Sequence, residues 1–181
     1  HRNGRNNARL RALLRDEQRG YCAYTEKRLS SQDSYDVEHF DPRLKGTGAD
    51  DYYNYYCTLH AANQRKRRNE ASLRHAGLFT DRFYQEPGGF QRRIRYIADE
   101  GVYEEIDPDD AAARALIAYL GLNAHELCEE RRKHVARLRD TFARANWSPA
   151  QQLEHLSAYP VELSYPTALA AALQLDLDPL L

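Results

Sequence analysis

The sequence predicts an α+β fold in which short strands lie between an N-terminal helix and a helical last third. Apolar residues recur at helical spacing near both ends of the chain, and short runs of β-forming residues lie between them. The 181 residues are 42% hydrophobic and 29% charged, which is typical of a globular protein with its own core. No apolar run approaches the roughly 18 residues of a membrane span. We therefore expect no membrane partner.

An amphipathic helix is predicted over residues 7–18, where three leucines recur at helical spacing among arginines and Gly20 closes the segment. Runs rich in β-forming residues come next and are predicted to be strands. These runs cover residues 21–24, 35–40 and 52–56. Residues 61–73 are compatible with a helix and are strongly basic.

A β-hairpin and three helices are predicted for the second half. The hairpin covers residues 90–106, with a turn near Gly101. The first helix carries an apolar stripe and ends at Gly121. This stripe consists of Ala113, Leu116, Ile117 and Leu120. Asn123 is predicted to begin a capping box for the second helix, and Ser148 begins the third in the same way.

Charge is unevenly distributed along the chain. The net charge is only −1, which excludes an argument for nucleic-acid binding from overall basicity. Residues 147–181 carry four acidic residues and no Lys or Arg, so the rest of the chain has a small positive excess. Arginine suits bidentate contacts with phosphate, although arginines also coat ordinary solvated surfaces.

The segment best suited to chemistry is residues 36–42, where Glu38 directly precedes His39 at the end of a predicted strand. A carboxylate is a hard ligand for a divalent cation, and a neutral imidazole can take a proton from water. The amide oxygen of Asn63 could supply a second ligand. Such a set suits metal-assisted phosphodiester hydrolysis. On spacing alone, a structural histidine remains the more common interpretation of this pattern.

A run of four basic residues follows Asn63 on the same predicted helix. The run consists of Arg65, Lys66, Arg67 and Arg68. Beside a phosphodiesterase site, these charges would attract backbone phosphates without reading bases. The alternative is a solvated helix face.

Four short motifs follow one another through the first part of the chain. They are Cys-Ala-Tyr-x-Glu, Val-Glu-His-Phe-x-Pro, Tyr-x-Asn-Tyr and Asn-Gln-x-Lys. Their order closely resembles the HNH endonuclease family, in particular its PtuB-type branch, which is associated with retron and Septu defence systems. The signature positions are His39, Asn54 and Asn63, separated by 15 and 9 residues. The resemblance covers roughly residues 10–70 and continues more weakly to about Arg139.

This resemblance implies a ββα-metal core, in which two antiparallel strands and a helix hold one Mg²⁺ or Mn²⁺ ion. His39 would be the general base that activates water. Glu38 and Asn63 would bind the metal. Asn54 would pin the loop and orient His39; without the resemblance, it would be interpreted as an ordinary turn residue.

Many HNH proteins also bind a structural zinc through two Cys-x-x-Cys pairs. The corresponding positions here offer Cys22, Cys57 and His60, with Thr25 in a fourth place that suits zinc poorly. We therefore expect no structural zinc and interpret the two cysteines as small buried hydrophobes. Three cysteines in all favour a reducing, cytoplasmic location.

The resemblance implies a metal-dependent endonuclease that serves as the effector of a bacterial anti-phage system with an ATPase partner, and we expect DNA as the favoured substrate. Two alternatives stay open. One is a catalytically silent module of the same fold that binds nucleic acid or assembles with other proteins. The other is an RNA-cleaving HNH nuclease, because a water nucleophile neither needs nor excludes a 2′-hydroxyl.

We expect three segments along the chain. Residues 1–80 form the nuclease core with its N-terminal helix, residues 81–146 add the hairpin and helices packed on that core, and residues 147–181 form an apolar, acidic tail. The tail leucines either dock the partner or fold back onto their own domain. These leucines are Leu163, Leu169, Leu173, Leu175 and Leu177.

Overall fold

Two small antiparallel sheets and a set of helices make up the protein, which confirms the predicted α+β class. The computed structural model describes residues 4–69 and 90–181. The strands are β1 (Tyr35–His39), β2 (Tyr55–Leu59), β3 (Ile94–Ile97) and β4 (Val102–Glu105). The α-helices in these ranges are α1 (Gly4–Glu17), α2 (His60–Arg68), α3 (Ala111–Leu120), α4 (His125–Ala145), α5 (Pro149–Ala158) and α6 (Pro166–Leu173).

Strands β1 and β2 form the first of the two sheets. They pair in antiparallel register, with Glu38 opposite Tyr56 and His39 opposite Tyr55. Helix α1 contacts one face of this sheet and helix α2 contacts the other. Because successive side chains of a strand point to opposite faces, Glu38 lies on the α2 face and His39 on the α1 face. Strand β1 therefore delivers these neighbouring residues to two sides of one sheet.

The predicted strand at residues 21–24 is wrong. Tyr21 makes a single bridge to Arg28, and the segment otherwise turns back on itself. The backbone N–H of Cys22 donates to the carbonyl of Lys27 at 2.8 Å, and that of Glu26 donates to the carbonyl of Cys22 at 3.2 Å. Local hydrogen bonds therefore close a compact turn instead of extending a ladder.

The next strand begins later than its composition predicts. A single 3-10 turn covers Tyr52–Asn54, and β2 starts at Tyr55. The side chain of Asp51 accepts a hydrogen bond from the backbone N–H of Tyr53 at 3.0 Å. This cap favours the turn over an extended start. The last four residues of the predicted basic helix, 70–73, lie outside the described residues.

The hairpin and most of the helix boundaries in the second half are confirmed. Strands β3 and β4 pair around a turn in which Gly101 has a φ of +74°. Gly121 ends α3 in the left-handed region, and Ser148 begins α5 with the predicted capping box. The predicted box at Asn123 is wrong, because this side chain accepts from the N–H of Tyr103 and donates to its carbonyl, both at 2.7 Å.

The tail packs against the rest of the protein. Four of its leucines are buried in the core, and the fifth is half-buried against it. The buried ones are Leu163, Leu169, Leu175 and Leu177, and the half-buried one is Leu173. These leucines thus contribute to the core of this chain. Across the described ranges, no helix has an apolar stretch long enough to cross a bilayer.

A buried polar cluster joins the turn after α1 to the hairpin and the tail. The Glu26 carboxylate accepts from the hydroxyl of Tyr103 and from that of Thr167, both at 2.6 Å. The Arg131 guanidinium lies 4.0 Å from the centre of the Tyr103 ring. Burial raises the pKa of Glu26 above its ordinary value, although Thr167, Tyr103 and Arg131 act in the opposite direction.

This cluster predicts an unusual pH dependence of stability. Between pH 4.5 and the raised pKa of Glu26, the folded state binds more protons than the unfolded state. The free energy of unfolding therefore falls as the pH rises through this window. Glu26→Gln should remove this contribution, so the wild type should lose stability relative to the variant with rising pH. Urea unfolding across this pH range measures the difference, and parallel profiles would contradict the prediction.

Candidate active site

Oxygen-bearing side chains gather on the α2 face of the sheet. Asp36 and Glu38 alternate with Val37 along β1, so both carboxylates lie on this face. The Asp36 carboxylate accepts a hydrogen bond from Nδ2 of Asn63 at 3.0 Å, and the same Oδ2 lies 2.8 Å from Nδ1 of His60. Helix α2 starts immediately after β2, which places the first turns of the helix against β1.

Asn63 carries a buried polar atom that has no hydrogen-bond partner within the described part of the chain. Its Nδ2 donates to Asp36, whereas its Oδ1 is buried and unpaired. An amide oxygen without a partner costs free energy unless a donor or a cation satisfies it. The orphaned Oδ1 is therefore a candidate ligand atom.

These donors fit a hard divalent cation such as Mg²⁺ or Mn²⁺, which prefers carboxylate and amide oxygens. In residues 4–69 and 90–181, no group of three or more His, Cys, Asp and Glu side chains lies close enough to hold a metal. The Asp36 carboxylate and the Asn63 amide are in contact, and Glu38 on the same strand face would supply a further carboxylate, although its own contact is with Nζ of Lys66 at 2.9 Å.

Lys66 does not belong to an exposed phosphate-binding run. Its side chain is fully buried, and its Nζ lies 2.9 Å from Oε1 of Glu38. The ammonium also donates to the backbone carbonyls of His39 and Phe40. Lys66 thus holds the end of β1 from within, which corrects its predicted role in binding nucleic acid.

The other three basic residues of the run differ in their surroundings. Arg65 is half-buried and lies against Gly121, where an added Cβ would come within 2.3 Å of its Cδ. Arg67 and Arg68 are exposed at the end of α2. Two of the four predicted phosphate-binding residues, Arg67 and Arg68, are therefore exposed to solvent.

His39 is held on the opposite face by Asp50. Nε2 of His39 lies 3.3 Å from Oδ2 of Asp50, and its ring centre lies 4.6 Å from that of Tyr55. The pKa of Asp50 lies below its ordinary value. The main cause is the hydrogen bond from the backbone N–H of Gly46, and the amide of Asn54 and the nearby His39 lower it further. Because Asp50 is ionised, it accepts the hydrogen bond, and Nε2 of His39 is the donor. Nδ1 of a neutral His39 is then left to accept a proton.

Asn54 pins the loop that follows β1. Its Oδ1 accepts from the backbone N–H of Asp41 at 2.8 Å, and its Nδ2 donates to the carbonyl of Asp41 at 3.0 Å. The same Nδ2 lies 3.3 Å from Oδ1 of Asp50. Asn54 therefore connects to His39 through the Asp50 carboxylate.

The helical half also contacts the end of β1. The hydroxyl of Tyr119, on α3, donates to the carbonyl of Phe40 at 2.6 Å. The same carbonyl accepts from Lys66 at 3.3 Å. Two separate helices thus fix the backbone directly after His39.

The candidate zinc ligands are not part of any group of three or more metal-binding His, Cys, Asp and Glu side chains in residues 4–69 and 90–181. Cys22 and Cys57 are buried free thiols, and the Sγ of Cys22 accepts a hydrogen bond from the N–H of Leu59 at 3.3 Å. Burial raises the pKa of Cys57 to about 12. His60 is directed to Asp36 instead of joining the two cysteines.

Sequence reasoning missed two residues of this site. Asp36 lies two positions before Glu38, so strand alternation places it on the same face and could have identified it. Asp50 lies in an irregular loop and contacts His39 only through the fold. Nothing in the local pattern around Asp50 distinguishes it from the neighbouring Asp51.

A scan against models of known protein families finds no match for this chain. A search of curated proteins finds no match either.

Proposed function

We propose that this protein is a metal-dependent endonuclease of the HNH class, with β1, β2 and α2 as a ββα-metal core. The observation that supports it most directly is the end of β1. There, His39 is the last residue of β1, is oriented by the Asp50 carboxylate, and directly follows Glu38. The motifs that resemble the HNH family occur at these positions. The proposed reaction is hydrolysis of phosphodiester bonds, with DNA as the favoured substrate.

Asp36, Glu38 and Asn63 would hold one Mg²⁺ or Mn²⁺ ion. When bound, the ion would neutralise charge on the scissile phosphate and on the leaving oxygen. His39 takes a proton from the attacking water at Nδ1 and becomes an imidazolium. Asp50 stabilises this imidazolium and keeps its ring in position through Nε2. Lys66 and Tyr119 fix the backbone that presents the histidine.

The proposal is tested by incubating the purified protein with plasmid DNA, single-stranded DNA and RNA, in Mg²⁺, Mn²⁺ or EDTA. We expect cleavage that requires the metal and that stops in EDTA. Cleavage of RNA alone would assign the RNA-cleaving alternative. Binding without cleavage of any substrate would contradict the enzyme and favour the catalytically silent module.

Arg67 and Arg68 are proposed to bind backbone phosphates beside this site. Reversing both to glutamate should weaken nucleic-acid binding at low salt. It should also reduce the slope of log affinity against log salt by about 2, because each phosphate contact contributes about 0.9. Fluorescence anisotropy at several salt concentrations measures both quantities. The matched control reverses Arg139 and Arg144, which are exposed on α4. Equal effects of the two pairs would refute a local phosphate-binding patch.

The cellular role proposed here is that of a cytoplasmic effector nuclease in an anti-phage system that acts with an ATPase partner. The support for this role is the resemblance of the motifs to PtuB-type nucleases. Co-purification with an ATPase encoded next to this protein tests the partnership. Absence of a complex both with and without nucleotide would count against it.

A further inference from the structure

A second basic site lies on helix α1, outside the proposed active site. A cavity of about 610 Å³ opens between α1 and the start of β1. Its charged lining consists of Arg11, Arg15, Arg19 and one acid, Asp16. Tyr35, the first residue of β1, forms part of the wall. The lining therefore has an excess of positive charge.

The arginines of this cavity lack carboxylate partners within the part of the chain that the structure describes. By contrast, Arg93 and Arg95 of the hairpin and Arg132 and Arg137 of α4 each pair with a carboxylate, as Arg95 does with Glu104 at 2.6 Å. In the cavity, the guanidinium carbons of Arg11 and Arg15 lie 5.5 Å and 5.8 Å from the centre of the Tyr35 ring. The ring and one backbone carbonyl, that of Leu29, hold these groups in place while leaving donors available.

The cavity lies on the same face of the sheet as His39. Tyr35 and His39 are four residues apart on β1, so alternation puts both side chains on the α1 face. Four residues of strand span roughly 13 Å. A strand of B-form DNA rises about 3.4 Å per nucleotide, so this separation corresponds to a few nucleotides of backbone.

Helix α1 also contacts the loop that holds the active-site histidine. Glu17, at the end of α1, lies near Tyr52 in the segment between Asp50 and Asn54, and burial together with Glu17 raises the pKa of Tyr52 to about 12. The basic cavity and the loop that orients His39 are thus connected along one side of the molecule.

We propose that this cavity binds backbone phosphates of the substrate strand, a few nucleotides from the phosphodiester at His39. The inference rests on the proposed function and adds a second contact point to it. Guanidinium groups form bidentate hydrogen bonds with phosphate oxygens, and such contacts position a strand without reading its sequence. The site therefore favours substrates long enough to reach both His39 and α1.

The test compares Arg11→Gln/Arg19→Gln with Arg139→Gln/Arg144→Gln. All four side chains are exposed, and each pair removes two charges from one helix. Binding of DNA and RNA oligonucleotides is measured in EDTA, where cleavage does not compete. We expect the α1 variant to bind at least about tenfold more weakly at low salt, with a salt slope smaller by about 2. The α4 variant should bind as the wild type does.

Hydrolysis of bis(p-nitrophenyl) phosphate separates this inference from the proposed function. This small diester reaches the active site but not the cavity, so the wild type and the α1 variant should hydrolyse it equally with Mn²⁺. Failure of the wild type to hydrolyse it would contradict the proposed function. Unchanged oligonucleotide binding by the α1 variant would overturn the cavity proposal and leave the nuclease in place. If the α1 variant lost both oligonucleotide binding and hydrolysis of the small diester, the cavity proposal would also be overturned, because the substitutions would then have disturbed the active site itself.

Discussion

His39→Ala is expected to lower the rate of metal-dependent phosphodiester cleavage by about 10²–10⁴-fold. The substitution removes the proposed general base and leaves the proposed metal ligands Asp36, Glu38 and Asn63 in place. Binding of nucleic acid in EDTA should therefore persist. A cleavage assay on the preferred substrate, beside anisotropy with the same oligonucleotide, separates the two effects.

Asp50→Asn extends this prediction to the carboxylate that orients His39. The variant removes the charge that is proposed to stabilise an imidazolium at His39, so cleavage should fall, although less than in His39→Ala. His125→Ala is the matched control, since this histidine is exposed at the start of α4. Full activity in His39→Ala, or an equal loss in His125→Ala, would show that His39 is not the base.

Lys66→Ala is expected to lower the free energy of unfolding by about 3 kcal/mol. The ammonium is fully buried, and its loss leaves the Glu38 carboxylate and two backbone carbonyls without this donor. Glu38 keeps 18% of its side chain exposed, so we expect the lower end of the effect of breaking a buried ion pair. Denaturant unfolding measures the change.

Arg67→Ala provides the comparison for Lys66, because it removes a basic residue from the next position of the same helix. Its side chain is exposed, so its stability should stay within about 0.5 kcal/mol of the wild type. If the two variants unfolded at the same denaturant concentration, Lys66 would not support the end of β1. The two variants thus distinguish a structural charge from a surface one.

Local signals in the sequence predicted most of the secondary structure. The capping box at Ser148 and the left-handed stop at Gly121 involve residues within a few positions of one another, so the sequence shows them directly. Asn123 carries a similar signal, but its side chain bonds to Tyr103, twenty positions away in the hairpin. A contact between distant segments overrode the local preference, and no local pattern reports it.

The sequence also predicted part of the candidate site, but not the residues that join it through contacts between distant segments. The pair Glu38–His39 and Asn63 could be found as motifs. Lys66 could not be separated from its basic neighbours, because burial depends on how α2 lies against β1. Asp50 was beyond sequence reasoning, since only the folded loop brings its carboxylate to His39.

Strand β1 places Glu38 on its α2 face and His39 on its α1 face. The number of residues in the strand therefore matters more for the position of these side chains than the identity of the residues between them. A single inserted or deleted residue between Asp36 and Glu38 would exchange the faces of every side chain beyond it. The histidine would then point toward α2, and Glu38 would point toward α1, away from Lys66 and Asn63. Point substitutions at Val37 should therefore be tolerated far better than any change in the number of residues in this strand.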